Sequence, residues 1–296
     1  SNVDGPHNLD FWLTARRAGS PMKIFPLPGS AVPPSAWEES GGRYGYEEQK
    51  AFLDNDLSVV SLDEVMDWPS VWDPSNPGYR RMWGMIGATF EKRGVVEGHG
   101  SGLTDPHEIS AFIAAGLSSD HEVWALDEAW DRLMRGIFTE LRPFSYEAII
   151  PGLIERGLKD WSNVAFTTDD RSASDTLRDG ATDHNVRHAI GYGLPPEIAI
   201  QCVTINPARH MRIDQWVGSI APGRYADIVL LEDVPSVAIA HVYADGRLAS
   251  QGKTYLGPLP RIDWPDWATK TMNIGRTLAA ADFAIPAAPG RETMQA

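Results

Sequence analysis

Cysteine is all but missing from this sequence. Among 296 residues only Cys202 carries a thiol, so no disulfide can form within the chain and a reducing cytoplasm is the expected compartment. Long apolar runs are also lacking: no stretch of about 18 uninterrupted apolar residues occurs, and the polar opening Ser1-Asn2-Val3-Asp4 does not read as a signal peptide. Positive charge is scarce, with 26 basic against 40 acidic side chains and a net charge of -14. Such a balance repels phosphate backbones and anionic headgroups, which argues against a nucleic-acid polymer or a membrane surface as partner. There is no internal repeat or low-complexity tract. What is present, 43% hydrophobic and 22% charged residues, is close to globular averages and excludes wholesale disorder, collagen and coiled coil. The length allows one large domain or two ordinary ones, with a substantial core.

Short apolar runs alternate with longer amphipathic stretches over the first two thirds, the pattern of repeated β-α units and a parallel sheet. Six runs read as strands: Met22 to Leu27, Leu57 to Leu62, Gly94 to His99, Ala115 to His121, Gly136 to Leu141 and Asn163 to Thr168. Helices are expected over Pro77 to Lys92, Pro106 to Ala115, Leu126 to Arg135 and Tyr146 to Asp160. Thr104-Asp105-Pro106 places a capping side chain before a proline, and Asp127-Glu128 puts carboxylates on an N-terminal turn. After Asp179 a helix pair is expected, Asp183 to Tyr192 and Pro196 to Thr204, the second closed by Asn206-Pro207. Two segments, 218–231 and 241–248, then read as strands with Pro-Gly and Asp-Gly turns. From Gly257 onward, prolines at 258, 260, 265, 286 and 289 break any regular pattern. The expected organisation is a β/α barrel segment over 1–210, a small β element over 211–256, and a linker or the start of a further domain over 257–296.

Four ionisable residues, Glu64, His99, His121 and Asp169, each fall at or just past the C-terminal end of a different apolar run. A β/α barrel keeps its active site there. Two imidazoles and a carboxylate converging on a barrel mouth suit a divalent metal that lowers the pKa of a bound water, and a further carboxylate can move the proton. Each residue has an ordinary reading: a charged turn at Asp63-Glu64, a solvated histidine after Ser118-Ser119-Asp120, an Asx turn at Thr167-Thr168-Asp169-Asp170. Their shared position relative to four separate strands favours a site. Gly98, Gly100 and Gly102 flank His99, and the missing side chains let a bulky partner approach the backbone. His184 and His188, at i, i+4 on a helix, have no strand end to support them. His7, His107, His210 and His241 have no ligand context. The glycines around His99 do not form a phosphate loop, since no Lys-Ser/Thr follows.

Several segments, in order along the chain, resemble the adenine deaminases of the amidohydrolase superfamily: Glu-Gly-His-Gly-Ser-Gly-Leu (97–103), Ala-Gly-Leu-Ser-Ser-Asp-His-Glu (115–122), Thr-Thr-Asp-Asp-Arg (167–171), Val-Arg-His-Ala-Ile-Gly-Tyr-Gly-Leu (186–194), Ala-Ile-Gln-Cys-Val-Thr-Ile-Asn-Pro-Ala-Arg (199–209) and Gly-Ser-Ile-Ala-Pro-Gly-Arg-Tyr-Ala-Asp-Ile-Val-Leu-Leu (218–231). The resemblance implies a metal-dependent (β/α)8 hydrolase of TIM type that converts adenine and water into hypoxanthine and ammonia. Glu64 would be the metal-bridging carboxylate on strand four, and His99 and His121 the ligands on strands five and six. Asp169 would be the strand-eight acid/base, with Asp170 as the neighbouring candidate; alternation along a strand favours Asp169 as the one facing the pocket. It further implies a binuclear centre, a homo-oligomer and a small purine as partner. Histidine and carboxylate ligands suit manganese, iron and zinc alike.

The sequence departs from the family in places. No two of the eight histidines are two apart, so the strand-one His-x-His is absent; the strand-two Asp-Pro-His-Glu is missing from its place too, the same four residues at 105–108 lying instead at the start of an expected helix. Arg142-Pro143-Phe144 stands where Arg-Glu-Gly is usual, Gly100-Ser101 where Ala-Pro is usual, and Ser172-Ala173 where His-Pro is common. Six strands where a closed barrel needs eight lead to the expectation of an internal segment holding strands three to eight, which by itself neither closes its barrel nor turns over adenine. Two other readings stay open: hydrolysis of another heterocycle or cyclic amide at the same site, and a catalytically incomplete scaffold.

Overall fold

A computed structural model describes residues 3, 5–35, 37–55, 61–272 and 274–284. The chain divides into two units, Ser1–Ile262 and Asp263–Ala296. The first opens with α1 (His7–Arg17) and α2 (Tyr46–Asn55) and then alternates strand and helix: β1 (Ser61–Val65), α3 (Pro69–Trp72), α4 (Tyr79–Glu91), β2 (Val95–Gly98), α5 (Pro106–Ala114), β3 (Ser119–Asp120), α6 (Leu126–Met134), β4 (Phe138–Leu141), α7 (Tyr146–Glu155) and β5 (Val164–Phe166). Helices α8 (Ala173–Asp179), α9 (Thr182–Gly191), α10 (Pro196–Gln201) and α11 (Ile205–His210) follow. The antiparallel strands β6 (Ile228–Asp233), β7 (Ala238–Ala244), β8 (Arg247–Gln251) and β9 (Thr254–Tyr255) complete the unit. The second unit holds, among its described residues, α12 (Asp266–Thr269) and a 3-10 turn at Ala280–Phe283. No helix among the described residues is long and apolar enough to cross a membrane.

β1 pairs in parallel with β2, and β3, β4 and β5 pair in parallel in that order. A single parallel bridge, Val96 to Leu117, joins the two sets. The helices between the strands bury one face each. On α7, Tyr146, Ile149, Ile150 and Leu153 recur at i, i+3, i+4 and i+7 and are all fully buried, the 3.6-residue period of a helix lying on a sheet. Each such aliphatic side chain contributes about 1.5–3 kcal/mol through burial. α4 does the same with Met82, Met85, Ile86 and Thr89. Asp105 caps α5 by accepting from the backbone N–H groups of His107 and Glu108, with Pro106 at the first turn. Glu128 caps α6 by accepting from Trp124 N and Ala125 N at 2.7 and 3.2 Å. Both starts follow from the sequence.

The structure differs from expectation at four places. Met22 to Leu27 forms no strand: Pro26 and Pro28 lack the N–H groups a ladder needs, and the segment's tie to β1 is a bond from Asp63 N to Pro28 O at 2.9 Å. The Leu57 to Leu62 run falls partly on residues 57–60, outside the described residues, and its strand begins at Ser61 and extends to Val65. Asn206-Pro207 does not end a helix but lies in the first turn of α11, where a missing N–H costs nothing. Asn206 Nδ2 instead donates to Trp161 O and Val164 O, pinning α11 to β5. Of the expected strand over 218–231 only Ile228 onward is extended and paired. The Asp245-Gly246 turn joins β7 to β8 as expected, both residues having positive φ.

Candidate active site

Glu64 lies within β1, His99 directly follows β2 and His121 directly follows β3. Parallel pairing sets these ends side by side. Glu64 Oε2 is 2.9 Å from His99 Nδ1 and 2.8 Å from His121 Nε2, and the two imidazole nitrogens are 3.2 Å apart. One carboxylate oxygen and two imidazole nitrogens from three strand ends thus face a common point, a donor set that fits a divalent ion. The side chains are partly enclosed, at 32%, 17% and 13% exposure. Burial raises the Glu64 carboxyl pKa, but hydrogen bonds and charge from His121 and His99 outweigh it and hold the group at about 2. Burial likewise lowers His121, yet Glu64 raises it to about 9.

The backbone around this cluster is fixed by the buried Asp120. Asp120 Oδ1 accepts from Gly100 N and Glu122 N at 2.8 and 2.9 Å, and Oδ2 pairs with the buried Arg132 at 2.9 Å. The loops carrying His99 and His121 are therefore tied to one carboxylate. A Cβ at Gly100 would lie 2.2 Å from Asp120 Oδ2, and one at Gly98 would lie 2.3 Å from both Ser119 O and Phe112 Cζ. Gly98 and Gly100 do what the sequence suggested and let neighbouring groups approach the chain, whereas Gly102 has nothing within 4 Å of a Cβ and instead takes a positive φ of 74°.

Asp169 sits three residues past β5 in a left-handed conformation, φ 46°, a region aspartate tolerates better than most residues. Its orientation is set by this turn and not by strand alternation, because β5 ends at Phe166. Asp169 lines a cavity of about 210 Å³ together with Glu64 and His121. Asp170, exposed, is not among the lining residues. Arg142 Nη1 lies 2.6 Å from Asp169 Oδ2 and 2.6 Å from Glu122 Oε1. His121, Glu122 and Asp169 make a second group spaced for a cation, but the guanidinium already neutralises its two carboxylates.

Carboxylates crowd the cavity. Asp63 and Glu64 both line it, although adjacent, because the register of β1 shifts between Leu62 and Val65. Burial, reinforced by the charges of Glu64 and Glu97, raises Asp63 to about 6. Burial and the Glu97 charge also push Glu140 well up from the ordinary carboxylate range. Glu97 is buried and accepts from Ser119 Oγ at 2.5 Å. Its two oxygens lie 3.0 Å from His210 Nε2, whose ring stacks on Phe138 with centroids 4.0 Å apart.

His210, for which no partner was foreseen, is therefore a site neighbour, placed by the unexpected helix α11. Arg142, Glu97 and Glu122 were also missed. Arg142 had a legible signal: it directly follows the Gly136 to Leu141 run, as Asp169 directly follows the Asn163 to Thr168 run. The rings of His184 and His188 lie 4.0 Å apart, tilted by 38°, and join no metal-capable cluster among the described residues.

The sequence profile of the amidohydrolase family matches residues 86–249. The chain is 66% identical over all 296 residues to adenine deaminase 2 of Jannaschia sp. (strain CCS1) and covers 48% of that protein. It is 64% identical over the same length to adenine deaminase 1 of Bradyrhizobium sp. (strain ORS 278), covering 47%. At 34% identity, 99% of it aligns with 48% of the adenine deaminase of Rubrobacter xylanophilus (strain DSM 9941 / JCM 11954 / NBRC 16129 / PRD-1). The chain thus spans about half the length of the curated relatives it matches. Among solved structures, enamidase superposes with a TM-score of 0.58 at 16% identity over 86% of this chain and 69% of its own. A β-aspartyl dipeptidase from Fervidobacterium islandicum AW-1 reaches 0.50 at 19% identity over 71% and 61%. These likenesses show the α/β barrel type of fold that the parallel β-α units display. The profile match spans more than half of the chain, and the chain belongs to the amidohydrolase family.

Proposed function

We propose that this chain carries half of a metal-dependent deaminase site that converts adenine and water into hypoxanthine and ammonia. The observation that carries the reading is the convergence of Glu64, His99 and His121, with donor atoms no more than 3.2 Å apart, from three successive strand ends. The relatives named adenine deaminase supply the substrate. In this reading β1 to β5 are strands four to eight of the barrel, and Met22 to Leu27 lies in the place of strand three, alongside β1. Residues 1–210 make up the partial barrel, 211–256 a small β element, and 257–296 a linker or the start of a further domain.

Glu64, His99 and His121 hold the ion, which supplies, when bound, the Lewis acidity that makes water a nucleophile near neutral pH. Manganese, iron and zinc all suit these donors. Asp169 moves the proton. Arg142 occupies Oδ2 of its carboxylate, leaving Oδ1 to take one proton from the attacking water and pass it to the departing amino group, so that ammonia leaves while the water's oxygen and its other hydrogen stay on the ring as a new C=O and the adjacent ring N–H. The surrounding carboxylates Asp63, Glu97 and Glu140 give the cavity a negative field that favours a cation.

The test is ammonia release from adenine by the metal-loaded full-length protein. Asp169→Asn lowers the rate about 100-fold or more, whereas Asp170→Asn stays within about twofold of wild type. Ring opening of a cyclic amide without ammonia release from adenine overturns the substrate assignment. The reverse ranking of the two variants overturns the role of Asp169.

A further inference from the structure

Just beyond the ends of β3 and β4, Trp124 and Phe144 stack with ring centroids 4.5 Å apart and planes at 29°. Both remain more than half exposed, at 57% and 54%. Two large rings fixed against each other at the surface form an apolar shelf, and such patches mark places where something binds. Its bracing is specific. The Arg142 guanidinium carbon lies 5.1 Å from the Trp124 centroid and 4.5 Å from that of Phe144. Arg142 itself is only 5% exposed, and its Nε and Nη2 are buried without a hydrogen-bond partner. Leaving buried donors unmatched is costly, a cost that the contact of the cation with both rings offsets in part. Trp124 Nε1 donates to Glu122 Oε2 at 3.2 Å, so the carboxylate that anchors Arg142 also sets the indole plane.

The same guanidinium that touches both rings touches Asp169. Asp169, Glu122 and His121 in turn have donor atoms within 4.8 Å of one another. The shelf is therefore linked to Asp169 through Arg142, and rings already braced against a cation lose less freedom when a flat molecule settles on them. Neither a saturated cyclic amide nor an acyclic one would gain from stacking on it; a planar nitrogen heterocycle would.

We propose that the Trp124–Phe144 stack is the surface on which the substrate's planar, purine-sized heteroaromatic ring rests, with its edge turned to Asp169 and the Glu64–His99–His121 cluster. The inference rests on the deamination reading and adds the group that selects ring type. It is tested in the metal-loaded full-length protein by titrating hypoxanthine calorimetrically and, separately, by measuring ammonia release from adenine, for wild type, Trp124→Leu, Phe144→Leu and the conservative Phe144→Tyr. Each leucine variant weakens hypoxanthine about tenfold, in line with the worth of base–aromatic stacking. It raises KM similarly, leaves kcat within about twofold and keeps the metal content, while Phe144→Tyr binds as wild type does. Leucine variants with unchanged Kd and KM overturn the proposal. So does a loss of kcat together with metal, which marks a structural role, or a changed oligomeric state with unchanged Kd, which marks a contact between protein surfaces. Wild-type protein that binds hypoxanthine through these rings but releases no ammonia from adenine sinks the deamination reading and leaves the shelf standing.

Discussion

A single nitrogen of Arg142, Nη1, holds Asp169 at 2.6 Å and binds Glu122 at the same distance. The arginine and Glu122 are nearly enclosed, at 6% and 10% side-chain exposure, and Asp169 is at 23%. Replacing Arg142 by methionine leaves two neighbouring carboxylates without their cation, and the expected loss of stability is about 3 kcal/mol, read from denaturant unfolding. Arg142→Lys retains charge but not the flat contact with Trp124 and Phe144, and is expected to recover only part of that loss. If the methionine variant unfolds at the wild-type midpoint, the clamp has no structural weight.

If Glu64 and His121 hold the ion as proposed, their pairing makes metal uptake depend on pH. In the metal-free protein His121 titrates at about 9, above its ordinary value, so its pairing stabilises the fold fully below about pH 6.5 and fades as pH rises through 9. Glu64, held at about 2, contributes above about pH 4.5 and is lost as pH falls through 2. A metal must displace the proton on His121. Apparent affinity is therefore expected to climb about tenfold per unit from pH 7 to 9 and to flatten beyond. Chelator competition at pH 7, 8 and 10 measures it; a flat response from 7 to 9 would show that His121 is not the protonated ligand.

Glu97 and His210 link α11 to the interior of the parallel strands. His210→Phe keeps a ring against Phe138 but strips the buried Glu97 of its imidazole, and a destabilisation of about 3 kcal/mol is expected. Adding Glu97→Gln to that variant should restore about half of it, since the stranded charge is gone. A double mutant less stable than His210→Phe alone would mean that the carboxylate serves some other partner.

The β-α alternation was legible because periodicity and capping are local: Asp105 with Pro106, and the buried face of α7, need only neighbours in sequence. Glu64, His99 and His121 were legible because strand ends in a parallel array meet at one face. Met22 to Leu27 misled because its apolar content resembles a strand while Pro26 within it and Pro28 just after it remove donors. Arg142, Glu97 and His210 were obscure for another reason. The place of Arg142 just past a strand run was visible, but its partners were not: these ion pairs form across 20 to 113 residues, and no local pattern records such pairings. The family resemblance drawn from the sequence motifs is borne out by the profile match and by the relatives.

The most direct measurement is metal stoichiometry and ammonia release from adenine on the same preparations of full-length wild type, Glu64→Gln, His99→Ala and His121→Ala. The proposed site predicts that each variant loses bound metal, and loses turnover in proportion to the metal lost, while its circular dichroism stays that of wild type. A folded His121→Ala or Glu64→Gln protein with full metal content and undiminished ammonia release would contradict it.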